Sequence, residues 1–165
     1  MYYVIQVAPR EEQKIVNLIK GAVPKEICRK CFFPMRDIRR KIRGEFVDFR
    51  EKLFPGYIFL ESDAPMETYL DLKTIPLFKV MLKSGDDFAP LAPAEEAILK
   101  QLLGEDKRVD VSIGTMEEGK LKILSGPIKG MEKYIIRVDK HKRKALLQMQ
   151  MLRKVVEYNV ALELV

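Results

Sequence analysis

Two rhythms of apolar residues run along the chain. The opening MYYVIQVA is rich in aromatic and β-branched side chains and stops at Pro9, which predicts a buried strand. Ile15, Leu18, Ile19 and Ala22 then recur at helical spacing; Glu11 and Glu12 suit the positive end of the helix dipole, and Gly21 and Pro24 end the element. ICRKCFF, GEFVDF and GYIFLES read as strands, with the basic stretch MRDIRRKIR as the connection between the first two, and together they predict an antiparallel β-meander. Pro65 opens a short helix through Met66, Tyr69, Leu70 and Lys73, closed by Pro76. LFKVML follows as a strand, KSGDD as a turn and FAPLAP as an extended segment. After Pro93, AEEAILKQLL makes a third amphipathic helix.

The order β-α-β-β-β-α-β-α predicts an antiparallel sheet flanked by helices, an α+β layer structure over residues 1–103. GEDKR at 104–108 has no apolar residue and reads as a linker. Beyond it VDVSI, KLKIL, YIIRV, ALLQMQML and VEYNVALELV alternate or run apolar, between turns at Glu117 to Gly119, Gly126 to Gly130 and Asp139 to Arg143. Five short strands and no helix predict a small closed β-barrel over 109–165. ALLQMQMLRKVV also contains good helix formers, but the β-prone YIIRV and VVEYNV favour a permanent barrel.

A composition of 47% hydrophobic and 33% charged residues places the chain among folded proteins. It has no run of about 18 apolar residues, and its start lacks the basic region and long apolar core of a secretory signal. A cytoplasmic protein without a membrane partner is expected. Cys28 and Cys31 alone cannot supply the four ligands of a structural zinc site and read as strand cysteines, so neither metal nor cofactor is expected. His141, the one histidine, lies in a lysine-rich turn without an evident carboxylate or serine partner, and Asp86-Asp87 sits in a turn. Nothing here suits catalysis, so the chain reads as a binding protein and not an enzyme. The net charge of +6 favours a polyanionic neighbour, and its distribution says where. Residues 109–165 hold eleven Lys or Arg against seven Asp or Glu, while residues 1–103 hold seventeen against fifteen.

Two strings carry more specific information. In KLFPGYIFL (52–60), Gly56 lets the chain turn where a side chain would clash, Pro55 restricts the backbone before it, and Phe54 and Tyr57 place rings around the turn. In LSGPIKGM (124–131), Gly126 and Gly130 bracket a tight loop from which Ile128 is placed to plug the barrel end. The first string resembles the Phe-Pro-Gly-Tyr signature of the amino-terminal domain of the NusG family of transcription elongation factors. The second resembles the Gly-Pro-x-x-Gly turn of KOW domains, which are SH3-like barrels. With the leading pair Tyr2-Tyr3, the likeness covers essentially the whole chain.

The resemblance implies an elongation or antitermination factor that docks through an apolar face on the clamp helices of the largest RNA polymerase subunit and suppresses pausing or termination. The matching positions are Tyr2, Tyr3, Phe54, Pro55, Gly56 and Tyr57, with Phe78 added from the fourth-strand region. The basic run Arg36, Arg39, Arg40, Lys41 and Arg43 reads either as a solvated hairpin or as a contact to phosphates of upstream or non-template DNA, or to the opposite polymerase jaw. Lys140, His141, Lys142, Arg143 and Lys144 occupy a turn, expected near Lys129 and Lys133, and read either as a contact to nascent RNA, the favoured reading, or as a merely solvated loop. Lys133 stands where KOW domains usually carry a second glycine, and Met151-Leu152-Arg153-Lys154 replaces a usual Phe-Gly-Arg string. These departures put Rho and a small-subunit ribosomal protein in question as partners, and make the chain similar to the antiterminator subgroup called LoaP. A monomer is expected. The alternative is a ribosome- or translation-associated KOW protein that binds RNA and needs no apolar face around Phe54 and Tyr57.

Overall fold

The computed structural model of the chain describes residues 1–75, 78, 89–151 and 154–165. Contacts divide it into two compact units, residues 1–33 with 54–96, and residues 34–53 with 97–165. The strand expected at LFKVML, apart from Phe78, and the turn at KSGDD lie outside the described residues. Among the described residues no helix is long and apolar enough to cross a membrane.

The first unit is built on strands β1 (Tyr2–Gln6), β2 (Lys30–Phe32), β5 (Tyr57–Glu61) and β6 (Ala89–Pro90), in the order β2-β5-β1-β6. β1 and β5 run antiparallel with Tyr3 opposite Leu60 and Ile5 opposite Ile58. These two strands read as nearly unbroken apolar runs because both of their faces are buried. On one face Tyr3, Ile5, Val7, Ile58 and Leu60 share a core with Ile15, Val16 and Ile19 of helix α1 (Glu12–Ala22). Helix α2 (Pro65–Lys73) adds Leu72 to that core, and Phe78 joins it. The buried Ser62 hydroxyl fixes the entry to α2, accepting a bond from the Ala64 N–H at 2.9 Å and lying 2.9 Å from the Thr68 hydroxyl. A third helix, α3 (Pro93–Leu102), forms where the sequence predicts it.

Residues 35–52 form a separate hairpin, strands β3 (Met35–Ile42) and β4 (Glu45–Lys52), and not part of one meander. β7 (Arg108–Val109) pairs parallel to β3, giving the order β4-β3-β7. The stretch MRDIRRKIR, expected as a connection, is therefore mostly strand. Its charges read as loop, but the register sets them against opposite charges: Arg36 faces Glu51, Asp37 faces Arg50 and Arg39 faces Asp48. Opposite charges at paired positions support a sheet where like charges would oppose it. Arg43 and Gly44 turn the hairpin with φ of +50° and +84°, the left-handed pair whose twist matches two antiparallel strands.

The five strands predicted for the small barrel form as β8 (Ser112–Glu117), β9 (Lys120–Ser125), β10 (Ile135–Asp139), β11 (Lys144–Met151) and β12 (Lys154–Leu164), in one half-barrel sheet of order β10-β11-β12-β8-β9. The long β12 holds it together, antiparallel to β11 and parallel to β8. Its interior takes alternate residues Ala145, Leu147, Met149 and Met151 from β11, and Tyr158, Val160 and Leu162 from β12. Ile128 is fully buried, and its N–H donates to the Ser112 hydroxyl at 3.3 Å. A short 3-10 turn at Glu132–Tyr134 leads into β10, and the Glu132 carboxylate accepts the Ile123 N–H of β9 at 3.0 Å.

Gly126 has a φ of +101°, and a Cβ there would lie 2.5 Å from the Ser112 Cα. Gly126→Ala is expected to destabilise the chain by about 1–3 kcal/mol through backbone strain alone, before the clash is added. Urea unfolding followed at β-sheet wavelengths measures this, and a midpoint equal to that of the parent would refute it.

Candidate polymerase-docking turn and nucleic-acid interface

The Phe-Pro-Gly-Tyr turn is fixed by three backbone constraints. The Val7 N–H donates to the Gly56 carbonyl at 2.7 Å, and the Tyr57 N–H donates to the Phe54 carbonyl at 3.2 Å. The Gly56 N–H donates at 2.8 Å to Oε1 of Glu12, a carboxylate with no solvent exposure that also accepts the Arg10 N–H at 3.3 Å. Gly56 has a φ of +84°, and a Cβ there would meet the Val7 carbonyl at 3.0 Å, so no other residue fits without strain.

Around this turn the predicted docking residues take different places. Pro55 is exposed and Tyr57 half-buried. Phe54 is buried with its ring 6.1 Å from that of Phe59. Phe32 stacks on Phe59 at 5.8 Å and takes Tyr2 edge-on at 5.8 Å. Tyr3 and Phe78 belong instead to the core shared with α1. The turn thus presents Pro55 and part of Tyr57 beside an aromatic layer in which Phe54 and Phe59 are buried and Phe32 half-buried; Phe32 and Phe59 are members of that layer that the sequence reading did not single out.

The basic residues divide in the same way. Arg36 donates to the Asn159 carbonyl at 2.5 Å and to Glu51 at 3.2 Å, while its buried Nε has no hydrogen-bond partner among the described residues. Burial and then Arg40 pull its guanidinium below the ordinary arginine value. Arg40 pairs with Glu51 and lies 5.4 Å over the Phe49 ring. Arg39 pairs with Asp48 at 3.0 Å and with Glu163. Arg143 reaches Glu163 at 3.3 Å and covers the Phe46 ring at 3.8 Å. These four arginines hold the unit together.

Lys41 and Arg43 at the hairpin end, and Lys140, His141 and Lys142 in the β10–β11 turn, are exposed. Asp139 shapes that turn by accepting the Lys142 N–H at 2.9 Å, and the same bond holds its carboxyl below the usual range. Lys144 is half-buried; burial first, then Lys142, lowers its amine. Lys129 and Lys133 sit in the connection entering β10 and Lys140 to Lys142 in the turn leaving it, so a strand of five residues separates the two groups. The Lys133 amine lies 4.9 Å over the Tyr134 ring.

Residues 1–100 match the family model described as "Transcription termination factor nusG". The chain belongs to the NusG family. It is 25% identical over 118 residues to the transcription termination/antitermination proteins NusG of Streptococcus pyogenes serotypes M3 and M1, covering 70% of this chain. It spans 66% of the length of these relatives. Among solved structures it resembles one described as "Domain interaction in Thermotoga maritima NusG", with a TM-score of 0.57 at 20% identity over 98% of this chain and 92% of that one. That likeness is one of fold.

In this NusG-family chain Glu12 is the residue that sequence reasoning missed. It was legible only as an acid in a first helical turn, and its bond to Gly56 spans 44 positions. Glu12→Ala leaves a buried N–H without its acceptor and is expected to cost about 1–3 kcal/mol, whereas Glu12→Gln, which keeps a carbonyl oxygen, costs less. Chemical denaturation of both variants checks the order, and equal losses would count against the bond.

Cys28 and Cys31 are free and buried. Burial, with Cys28 beside it, pushes the Cys31 thiol up to about 12, and burial likewise raises Cys28. Since the thiolate is the reactive form, neither cysteine is expected to react quickly with a disulfide reagent at pH 8 in the folded chain. Both should react at once in denaturant; fast reaction of the native protein would contradict their packing.

Proposed function

We propose that the chain is a transcription elongation or antitermination factor. It docks on the clamp helices of the largest RNA polymerase subunit through the Phe54–Tyr57 turn, with Tyr2 edge-on to Phe32 in the aromatic layer and Tyr3 and Phe78 supporting the sheet from the core. It suppresses pausing or termination, and contacts nascent RNA through the basic turn of the barrel. The family match over residues 1–100 carries this reading, because it covers the segment that contains the Glu12-pinned turn. An apolar tip held by a rigid backbone loses little conformational freedom on docking, which favours binding. The activity is association; no bond in a substrate has to be made or broken.

For the barrel, RNA is the partner assigned in place of Rho or a small-subunit ribosomal protein. Lys133 stands in place of a usual glycine, and Lys140, His141 and Lys142 are presented to solvent. Phosphate contacts alone would give salt-sensitive binding with little preference between sequences. Selectivity then has to come from the fold of the RNA, through loops or bulges that expose base edges. A specialised role at one operon, like that of the LoaP subgroup, follows from such selectivity.

One experiment separates the two surfaces. Retention on immobilised RNA polymerase, and binding to the 5′ leader RNA of the chain's own operon against a scrambled RNA at physiological salt, are measured for the parent, for Tyr57→Ala and for a Lys140→Ala/Lys142→Ala pair. Tyr57→Ala is expected to weaken polymerase retention about tenfold or more, as loss of an aromatic anchor does, and to leave RNA binding intact. The lysine pair should lose the preference for the leader and keep polymerase. Unaltered polymerase retention in Tyr57→Ala would remove the docking turn from the mechanism; equal, weak binding of both RNAs by the parent would remove RNA recognition.

A further inference from the structure

The two basic runs lie far apart in the sequence but meet in the folded second unit. Arg143, which ends the β10–β11 turn, lies 3.8 Å over the ring of Phe46. Phe46 is the cross-strand partner of Lys41, and cross-strand partners share a face of their hairpin. Arg143 also shares Glu163 with Arg39 of the hairpin, and Arg36 bonds the carbonyl of Asn159 in β12. The Arg143–Phe46 contact therefore fastens the hairpin end beside the barrel turn, while the Arg39–Glu163–Arg143 bridge and the Arg36–Asn159 bond hold the rest of β3 against β12.

From this geometry we propose that the end of the β3–β4 hairpin and the β10–β11 turn form one continuous RNA-binding face, on which Lys41, Arg43, Lys140 and Lys142 grip the phosphates of a single folded RNA. The proposal rests on the reading that the barrel turn binds RNA. It goes further by giving the hairpin the same ligand, in place of separate DNA phosphates or the opposite jaw of polymerase.

The inward-facing arginines are matched by carboxylates, whereas these four exposed cations have no ion-pair partner among the described residues. Lys144, at the base of the turn, has its amine lowered by burial and Lys142 first, and after them by Arg36 of the hairpin and Arg137 of β10. Cations of both elements thus already act on one another. A polyanion laid across such a face relieves their repulsion and releases its own counterions. Because hairpin and turn are fastened together, a ligand seated on one is presented to the other without further ordering.

The test uses the full chain, a fluorescein-labelled RNA copy of the 5′ leader, and duplex DNA of the same sequence, titrated at several salt concentrations. The proteins are the parent, Lys41→Ala/Arg43→Ala, Lys140→Ala/Lys142→Ala and the fourfold variant. All four side chains are exposed, so thermal melting is expected to stay at the parental value. Each pair should weaken RNA binding and flatten the plot of log affinity against log salt by about 1.4–1.8, the slope carried by two phosphate contacts, and the fourfold variant by about twice that. Parental affinity and slope in the hairpin pair, with a loss in the turn pair, would overturn the shared face while leaving RNA recognition by the barrel standing. A hairpin pair that loses only duplex DNA would also overturn it. A parent that binds no RNA would end both readings together.

Discussion

Six arginines crowd into the second unit because three carboxylates each serve two of them. Glu51 is shared by Arg36 and Arg40, Glu163 by Arg39 and Arg143, and Asp37 by Arg50 and Arg108. In each group an anion lies between two like charges; Arg39 also pairs with Asp48 and Arg108 with Asp106, so only the Glu51 group keeps a surplus positive charge. Isolated surface ion pairs contribute little to stability, so the weight lies in the network and in its partly buried members. The hairpin strand β3, the seating of the hairpin on β12 and the direction of the basic turn all follow from this sharing.

The first unit solves a different problem. The turn proposed to dock has to show apolar surface to solvent without collapsing onto its own sheet. Glu12 fixes its backbone: the carboxylate accepts the Gly56 N–H, and the Val7–Gly56 bond ties the turn to the end of β1. The aromatic layer of Phe32, Phe54 and Phe59 supplies a stiff floor. Pro55 and the Tyr57 ring then stand on a surface whose shape is set before any partner arrives.

Much of this was legible in the sequence where the signal is local. β1, β5, the three helices and the five barrel strands carry their own periodicity, and Gly56 and Gly126 announce turns because their backbones require φ values that other residues avoid. What stayed hidden is nonlocal. MRDIRRKIR looks like a loop until Glu51, Arg50 and Asp48 are placed opposite it. Tyr3 and Phe78 look like anchors for a partner until the core around α1 claims them. No pattern within either basic run shows that Arg143 lies on Phe46, since that contact depends on how β12 aligns hairpin and barrel.

The shared carboxylates also shape how such a protein can diverge. Losing one arginine from a pair leaves its partner still matched by the acid, but losing Glu51 takes the carboxylate from Arg36 and Arg40 at once, whereas Arg39 would keep Asp48 and Arg108 would keep Asp106. Glu51 is thus the least replaceable of the three acids, while Lys41, Arg43, Lys140 and Lys142 lie exposed at the rim. A lineage built on this frame can exchange its outer cations without rebuilding the scaffold underneath.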